Sequence, residues 1–486
     1  MKTILSIFLS AFCWWVQFPD KQGSTELCLS ERALEQRQKW DIPIDSLDYA
    51  VSPAYLDSLR AAGLTIMHTS RWMNGATVTG TQTQINTISG KSWVAAVEPT
   101  RDNTPAGNWY SPERLRKLRN EQEVESASIM QTSPQLALYN LLPLHRMDFH
   151  GQGILLTVCD GGFTNTHTLA CFDSVRSRIL GNFDFTDDTE DFYTGSNGAH
   201  GTECFSTIAA IQAGYLGAAT GAEYYLMRSE EIATESPKEM DNWVAAIEKC
   251  DSLGVNVMST SLGYYNFDNT SWDLQYSDMN GRNTRCGRAA TIAARKGMLV
   301  VVAAGNEGDG YWHYISTPAD ADSILTVGAV DTEGQIASFS SYGPSADGRV
   351  KPDVCAVGYA TTLVNPRGNI ITGHGTSFAC PLIAGMAATL WSALSDLDAA
   401  TIRQLIIQSA NRYNRPDSRY GYGIPDAYAA YLAGLEIIHS DLALPEAAPQ
   451  TEPVKYIRNG RLYIIRGQDI YSVTGEKIGT LQTSND

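Results

Sequence analysis

From about residue 133 to 435, short apolar runs alternate with longer segments of helical character. Ile154–Cys159 ("ILLTVC") and Met298–Ala303 ("MLVVVA") are short, rich in β-formers and apolar on both faces. Such runs suit buried parallel strands. "FACPLIAGMAATLWSAL", beginning at Phe378, is apolar nearly all round, which predicts a buried helix. Pro381 lies early in it, where few internal hydrogen bonds are lost. The alternation predicts an α/β domain whose mainly parallel sheet is covered by helices on both faces.

The flanks read differently. Residues 24–110 mix helix-like and strand-like patches, among them "PAYLDSLRAAGLTIMHTS", "RWMNGATV" and "SWVAAVEP", and form a small α+β unit. "RDNTPAGNWYSPERLRKLRNEQEVESAS" has few apolar anchors and reads as exposed chain, with a linker over 111–132. A second linker over 436–454 contains the Pro-rich, acidic "ALPEAAPQTEP". A tail over 455–486 carries short β-like runs around the turn signal Asn459-Gly460. At the other end, Lys2 precedes a mostly apolar run from Ile4 to Val16. At about 13 residues it is too short to span a bilayer and suits a signal peptide over 1–23, with a short buried helix as the alternative.

Composition narrows the partners. A formal net charge of -17 argues against nucleic acid and anionic membranes, which need clustered Lys and Arg. Of the nine cysteines, Cys159, Cys204, Cys355 and Cys380 sit in apolar runs, where a thiol behaves as a small hydrophobe. No C-x-x-C pair occurs, and Cys250 with Cys286 is one candidate bridge.

Four motifs carry chemistry. Asp160 stands at the carboxyl end of the first strand, before Gly161-Gly162. His200 lies near a helix start in "NGAHGTECFSTIAAI". Asn306 follows the strand of "GMLVVVAAGNEGD". Ser377, in "GHGTSFACP", sits at the start of the apolar helix, where unpaired N–H groups and the dipole favour negative charge. Each alone reads as a cap, a turn former or a surface residue. In a parallel sheet, however, strand carboxyl ends and helix amino ends share one edge, where ligands bind. Asp, His and Ser are the groups of nucleophilic acyl transfer, and Asn supplies an oxyanion donor. The order Asp160, His200, Ser377 disfavours an esterase or lipase of the α/β-hydrolase type, in which the acid and the histidine follow the serine, since only His439 follows Ser377 here.

Together these motifs resemble those of the subtilases, the subtilisin-like serine peptidases, over about residues 140–430. Asp160 falls in "CDGGF", His200 in "HGT", Asn306 in "AAGN" and Ser377 in "GTSFACP". Ser261-Leu262-Gly263 in "STSLGYY" is similar to the family's substrate-pairing strand. The departures at Gly161, Phe378 and Cys380 leave the reactive groups intact and bear on pocket shape. The resemblance implies a three-layer αβα domain over 133–435 and a serine endopeptidase made as a zymogen. Ser377 would be the nucleophile, His200 the base, Asp160 its orienting acid and Asn306 the oxyanion donor. His374, in the same turn as Ser377, has no family role. Residues 24–110 would be a propeptide that chaperones and inhibits, and 111–132 would hold the processing site. The tail is similar to sorting tails of type IX-secreted proteins through "RNGRLYIIRGQDIYSVTGEKI", with an accessory β module as the alternative. The implied protein is exported through the periplasm to the cell surface or medium, acts on proteins or peptides, and is a monomer. The family often binds structural calcium, but no loop of convergent carboxylates is evident, so no cofactor or metal is expected. The absence of H-E-x-x-H argues against a metalloprotease. The rival from another class is a catalytically dead fold that binds peptides, which the four intact positions disfavour.

Overall fold

The computed structural model describes residues 12–104, 122–123, 132–186, 191–194, 198–231, 234–441, 454–458, 461–466, 469–472 and 477–480. Two units precede the tail. The N-terminal unit is a four-stranded sheet of β1 (Cys13–Gln17), β2 (Thr65–Ser70), β3 (Gly75–Thr79) and β4 (Ala96–Arg101), in the order β2-β3-β1-β4. Helices α1 (Glu31–Lys39), α2 (Pro53–Ala61) and α3 (Gln82–Ile88) accompany it. β1 is buried on both faces, as its sequence CWWVQ allows. Trp14 and Val16 join the unit's own core with Leu59, Val78 and Ile85. Trp15 turns the other way and packs with Trp243, Ala246 and Ile247 of the larger domain.

This sheet overlaps the leader expected over 1–23. β1 pairs antiparallel with β3 on one side and β4 on the other. A leader ending at residue 23 would remove the strand that joins them. The "RWMNGATV" segment differs too: Arg71–Asn74 make the turn between β2 and β3, and the strand begins at Gly75.

The strand β5 (Gln122–Glu123) lies between the two units. The larger domain opens with the helical turns α4 (Ser133–Leu138) and α5 (Leu142–Arg146). Its sheet contains β6 (Leu155–Asp160), β7 (Ile179–Asp184), β10 (Glu223–Arg228), β11 (Val257–Thr260), β12 (Leu299–Ala303), β13 (Leu325–Val330) and β14 (Val354–Val357). A short ribbon, β8 (Ile211–Gln212) with β9 (Tyr215–Leu216), stands apart from it. The strand order is β14-β13-β12-β11-β6-β10-β7, and every neighbouring pair is parallel.

Alternate side chains of the central strands β6 and β12 enter different cores. Leu156, Val158, Val301 and Ala303 join one with α6 (Ala199–Ala209) and α9 (Thr376–Ala393). Leu155, Cys159, Val300 and Val302 join the other with α7 (Pro237–Leu253) and α8 (Arg285–Arg295). This is the three-layer arrangement, and it explains the continuous apolar strands. α9 is the one helix among the described residues long and apolar enough to cross a membrane, and it is 89% buried within the domain.

The chain leaves β6 toward β7 and β10, then returns to β11 on the other side of β6. The switch point therefore lies between β6 and β11, where such sheets form their ligand crevice. The hairpin β15 (Thr361–Val364) and β16 (Ile370–Gly373) leads into α9, and β5 pairs with β16. α10 (Ala399–Gln408) and α11 (Ala427–Asp441) pack behind α9. α11 runs past residue 436, where a linker was expected, because Leu435, Ile437 and Ile438 still pack on the core. The tail is an antiparallel sheet of β17 (Val454–Arg458), β18 (Arg461–Arg466), β19 (Asp469–Tyr471) and β20 (Lys477–Thr480), with Ile465 and Ile470 seated on Ile438.

All nine cysteines are free thiols. The candidate Cys250–Cys286 bridge is not formed. Cys250 Sγ lies 3.6 Å from Met227 Sδ, while Cys286 Sγ donates to the Met240 carbonyl at 3.4 Å.

Candidate active site

Each residue singled out in the sequence lies on the carboxyl edge of the sheet. Asp160 ends β6, Ser261 follows β11, Asn306 comes three residues after β12, and His200 and Ser377 are the second residues of α6 and α9. Gly201 lets α6 start there. A Cβ at Gly201 would run into the Gly162 carbonyl, so only glycine lets the helix approach the turn after Asp160.

His200 Nδ1 lies 2.8 and 3.0 Å from the two carboxylate oxygens of Asp160. The Gly161 N–H donates to the same carboxylate at 2.7 Å. Asp160 is 1% exposed, so this pairing is shielded from water. A carboxylate on Nδ1 holds the proton there and leaves Nε2 as the basic nitrogen. The Phe378 ring, in the first turn of α9, sits 5.8 Å from the imidazole.

Asn306 is oriented by the residue before the serine. Its Oδ1 accepts from the Thr376 N–H at 2.8 Å and the Thr376 hydroxyl at 3.1 Å. That fixes the amide nitrogen on the Gly375–Ser377 side. A Cβ at Gly375 would lie 3.6 Å from Ser377 N and 3.8 Å from Asn306 Nδ2, so the two donors border one space. Gly305, at φ +106°, makes the turn that delivers Asn306, and its N–H donates to Thr376 Oγ1 at 3.2 Å.

The Ser261-Leu262-Gly263 segment lies just beyond β11, which stops at Thr260. It lies at the switch point and is followed by an antiparallel bridge in which the Tyr264 N–H donates to the Thr317 carbonyl at 2.8 Å. Tyr264 is buried with its hydroxyl on Glu230, while Tyr265 stacks on Trp312 at 4.6 Å. His374 is held apart from this group. Its Nδ1 accepts the Ala360 N–H at 3.1 Å, its ring lies on Tyr359, and burial lowers its pKa.

Sequence reasoning missed Cys204. Its thiol lies 3.9 Å from His200 Nδ1 and donates to the Ser377 carbonyl at 3.3 Å. The available signal was its spacing, one helical turn after His200. Among the described residues, the metal-type ligands that converge are Asp160, His200 and Cys204, which belong to this same group.

The sequence profile of the subtilase family matches residues 151–423, and that of the peptidase S8 propeptide domain of Bacteroidota matches residues 13–114. Subtilisin DY from Bacillus licheniformis is 30% identical over 286 residues, covering 58% of this chain and 92% of that protein. A thermostable alkaline protease from Halalkalibacterium halodurans is 29% identical over 322 residues, covering 64% of this chain and 79% of that protein. The solved structure of MycP1 from Mycobacterium smegmatis shares the fold, with a TM-score of 0.51 at 21% identity over 64% of this chain and 87% of that one. Fold and family are those of a serine endopeptidase with a propeptide ahead of its catalytic domain. The chain belongs to the subtilase family.

Proposed function

We propose that Ser377, His200 and Asp160 act as nucleophile, general base and orienting acid, with Asn306 Nδ2 and the Ser377 N–H as the oxyanion hole. The observation that carries this reading is the buried Asp160–His200 pairing at 2.8 Å on the edge where Ser377 opens α9. Ser377 Oγ attacks the scissile carbonyl as His200 Nε2 takes its proton. The tetrahedral oxyanion forms in the space bordered by Asn306 and Ser377. His200 then protonates the leaving amine, and water repeats the cycle on the acyl-enzyme. The chain supplies every group these steps use.

Substrates are proteins or peptides that add an extended strand along Ser261-Leu262-Gly263, which gives affinity through the main chain. The propeptide serves as an intramolecular inhibitor of a monomeric, exported enzyme, released to the cell surface or medium. In support, the end of β4 is tied to the larger domain by Arg101 on Glu231 at 2.9 Å and Asn269 on Asp102 at 2.8 Å. The processing site belongs to the linker 111–132, which apart from Gln122–Glu123 and Thr132 lies outside the described residues. Gln122 and Glu123 pair with Thr372 and Ile371 of β16, the strand that leads to Ser377. A leader compatible with β1 ends before Cys13. The tail 455–486 is a candidate sorting signal.

The test is maturation of the purified full chain. Wild type is expected to convert to a shorter chain beginning within 111–132, while Ser377→Ala stays intact. Conversion of the purified Ser377→Ala chain at the wild-type rate would overturn the assignment.

A further inference from the structure

A regular α-helix closes each carbonyl onto the N–H four residues later. For Ser377 that donor belongs to position 381, which is proline and has no N–H. The carbonyl of the proposed nucleophile thus lacks its helical partner in the first turn of α9. Two buried side chains take it instead. Ser261 Oγ donates to it at 2.8 Å and Cys204 Sγ at 3.3 Å.

These donors come from the two elements that matter most to the reaction. Ser261 opens the segment proposed to bind substrate. Cys204 lies one turn after His200 on α6, with Sγ 3.9 and 4.0 Å from the two imidazole nitrogens. One main-chain oxygen therefore joins the nucleophile's helix, the base's helix and the substrate segment. Cys204 is fully buried, and burial pushes its thiol well above the ordinary range, so it stays protonated and keeps an S–H to donate. Carbonyl and hydroxyl belong to the same residue. Fixing the first limits where the second stands between His200 and Asn306.

We infer that Cys204 and Ser261 are positioning residues for peptide hydrolysis, holding Ser377 through its own carbonyl at the place Pro381 leaves open. This rests on the assignment of Ser377 as nucleophile. It predicts a coupling that ordinary packing would not show. In Pro381→Ala the N–H of residue 381 returns, and the carbonyl regains a helical donor.

The experiment measures kcat and KM on a peptide substrate for Cys204→Ala, Cys204→Ser and Ser261→Ala, each with and without Pro381→Ala. Folding is checked by Tm, and active-site content by a fluorophosphonate probe. Cys204→Ala and Ser261→Ala are each expected to lower kcat by about tenfold with KM within about twofold, the scale of one lost hydrogen bond. Cys204→Ser, which keeps a donor, is expected to recover most of the loss. With Pro381→Ala, the further loss from either alanine variant is expected to shrink to about twofold. Unchanged kcat in both alanine variants would overturn the inference. So would a loss confined to KM, or the same loss with and without Pro381→Ala. If Cys204→Ala does not fold, Ser261→Ala and its Pro381→Ala pair decide alone. A wild-type enzyme that the probe does not label would sink the nucleophile assignment itself, a separate outcome.

Discussion

The catalytic edge and the face that carries the propeptide are both buried and polar, yet they are built in opposite ways. At the edge, Asp160 is the carboxylate that holds His200, and the other groups that fix the candidate site are hydroxyl, amide, thiol and imidazole groups tied mostly to main-chain atoms. The face is built from charges. Asp251 on α7 takes Arg37 at 2.6 Å and Arg71 at 2.6 Å, and Asp241 takes Arg285 at 2.7 Å. Asp48 of the propeptide takes Arg37 at 3.2 Å and Lys296 of the larger domain at 2.7 Å. Glu248 accepts the N–H groups of Arg71 at 2.9 Å and Trp72 at 3.2 Å. Desolvation offsets much of the attraction in such buried pairs, while removal of one partner leaves an unpaired charge. Such a face selects its partner sharply at modest net affinity, while the edge is held by a continuous sheet.

Variants that strike one region and spare the other test this contrast. The largest effect is expected for His200→Ala. Turnover should fall on the order of a million-fold, the scale known for a triad histidine in a subtilisin, while the uncut chain melts within a few degrees of wild type. Asn306→Ala should follow at roughly 100- to 1000-fold in kcat with KM little changed, again the scale of a subtilisin. Steady-state kinetics on a peptide substrate checks both.

Arg71→Ala strikes the other region. It removes one of the two propeptide guanidinium groups on Asp251, and with it the Arg71 bond to the Glu248 carbonyl, and should loosen the propeptide by about 100-fold. The rate at which activity emerges from purified zymogen reads this directly, with the final kcat unchanged.

A pH effect is expected next. His68 of the propeptide is half-buried, with Nε2 on the Phe185 carbonyl at 2.7 Å and on Asn242 at 3.1 Å. Burial lowers its pKa against the pull of the Phe185 carbonyl, with Lys238 repelling the charged form and Asp241 attracting it. The bound state thus disfavours the proton. His68 contributes stability that is present above its free value, near 6.5, and lost as pH falls through it. Release should be faster at pH 5.5 than at pH 7.5 by up to about tenfold, and His68→Gln should flatten that slope. Glu248 and Asp241, raised by burial against Arg71 and Arg285, act in the opposite sense at more acidic pH. The smallest effect is expected for His374→Ala, whose kcat should stay within about twofold of wild type because its ring serves Ala360 and Tyr359.

The two regions also differed in how far the sequence exposed them. The edge was legible because strand ends and helix starts in a parallel sheet share one side, so four local motifs placed Asp160, His200, Asn306 and Ser377 together. The propeptide face was not, since Arg37 and Arg71 meet α7 across long stretches of chain. Its one local trace is that Asp241, Glu248 and Asp251 fall on one stripe of α7. β1 was taken for part of a leader because an apolar strand buried on both faces has the composition of a signal core. The Cys250–Cys286 pairing failed for a related reason, since spacing carries no information on which buried thiols face each other. Cys204 was read only as packing, and its bond to the Ser377 carbonyl needed the juxtaposition of α6 and α9.

The most direct test is to treat the matured enzyme with a fluorophosphonate and map the adduct by mass spectrometry. The account predicts one phosphonylated residue, Ser377, loss of peptidase activity in step with labelling, and no labelling of Ser377→Ala. An adduct on another residue, or full labelling of Ser377→Ala, would contradict it.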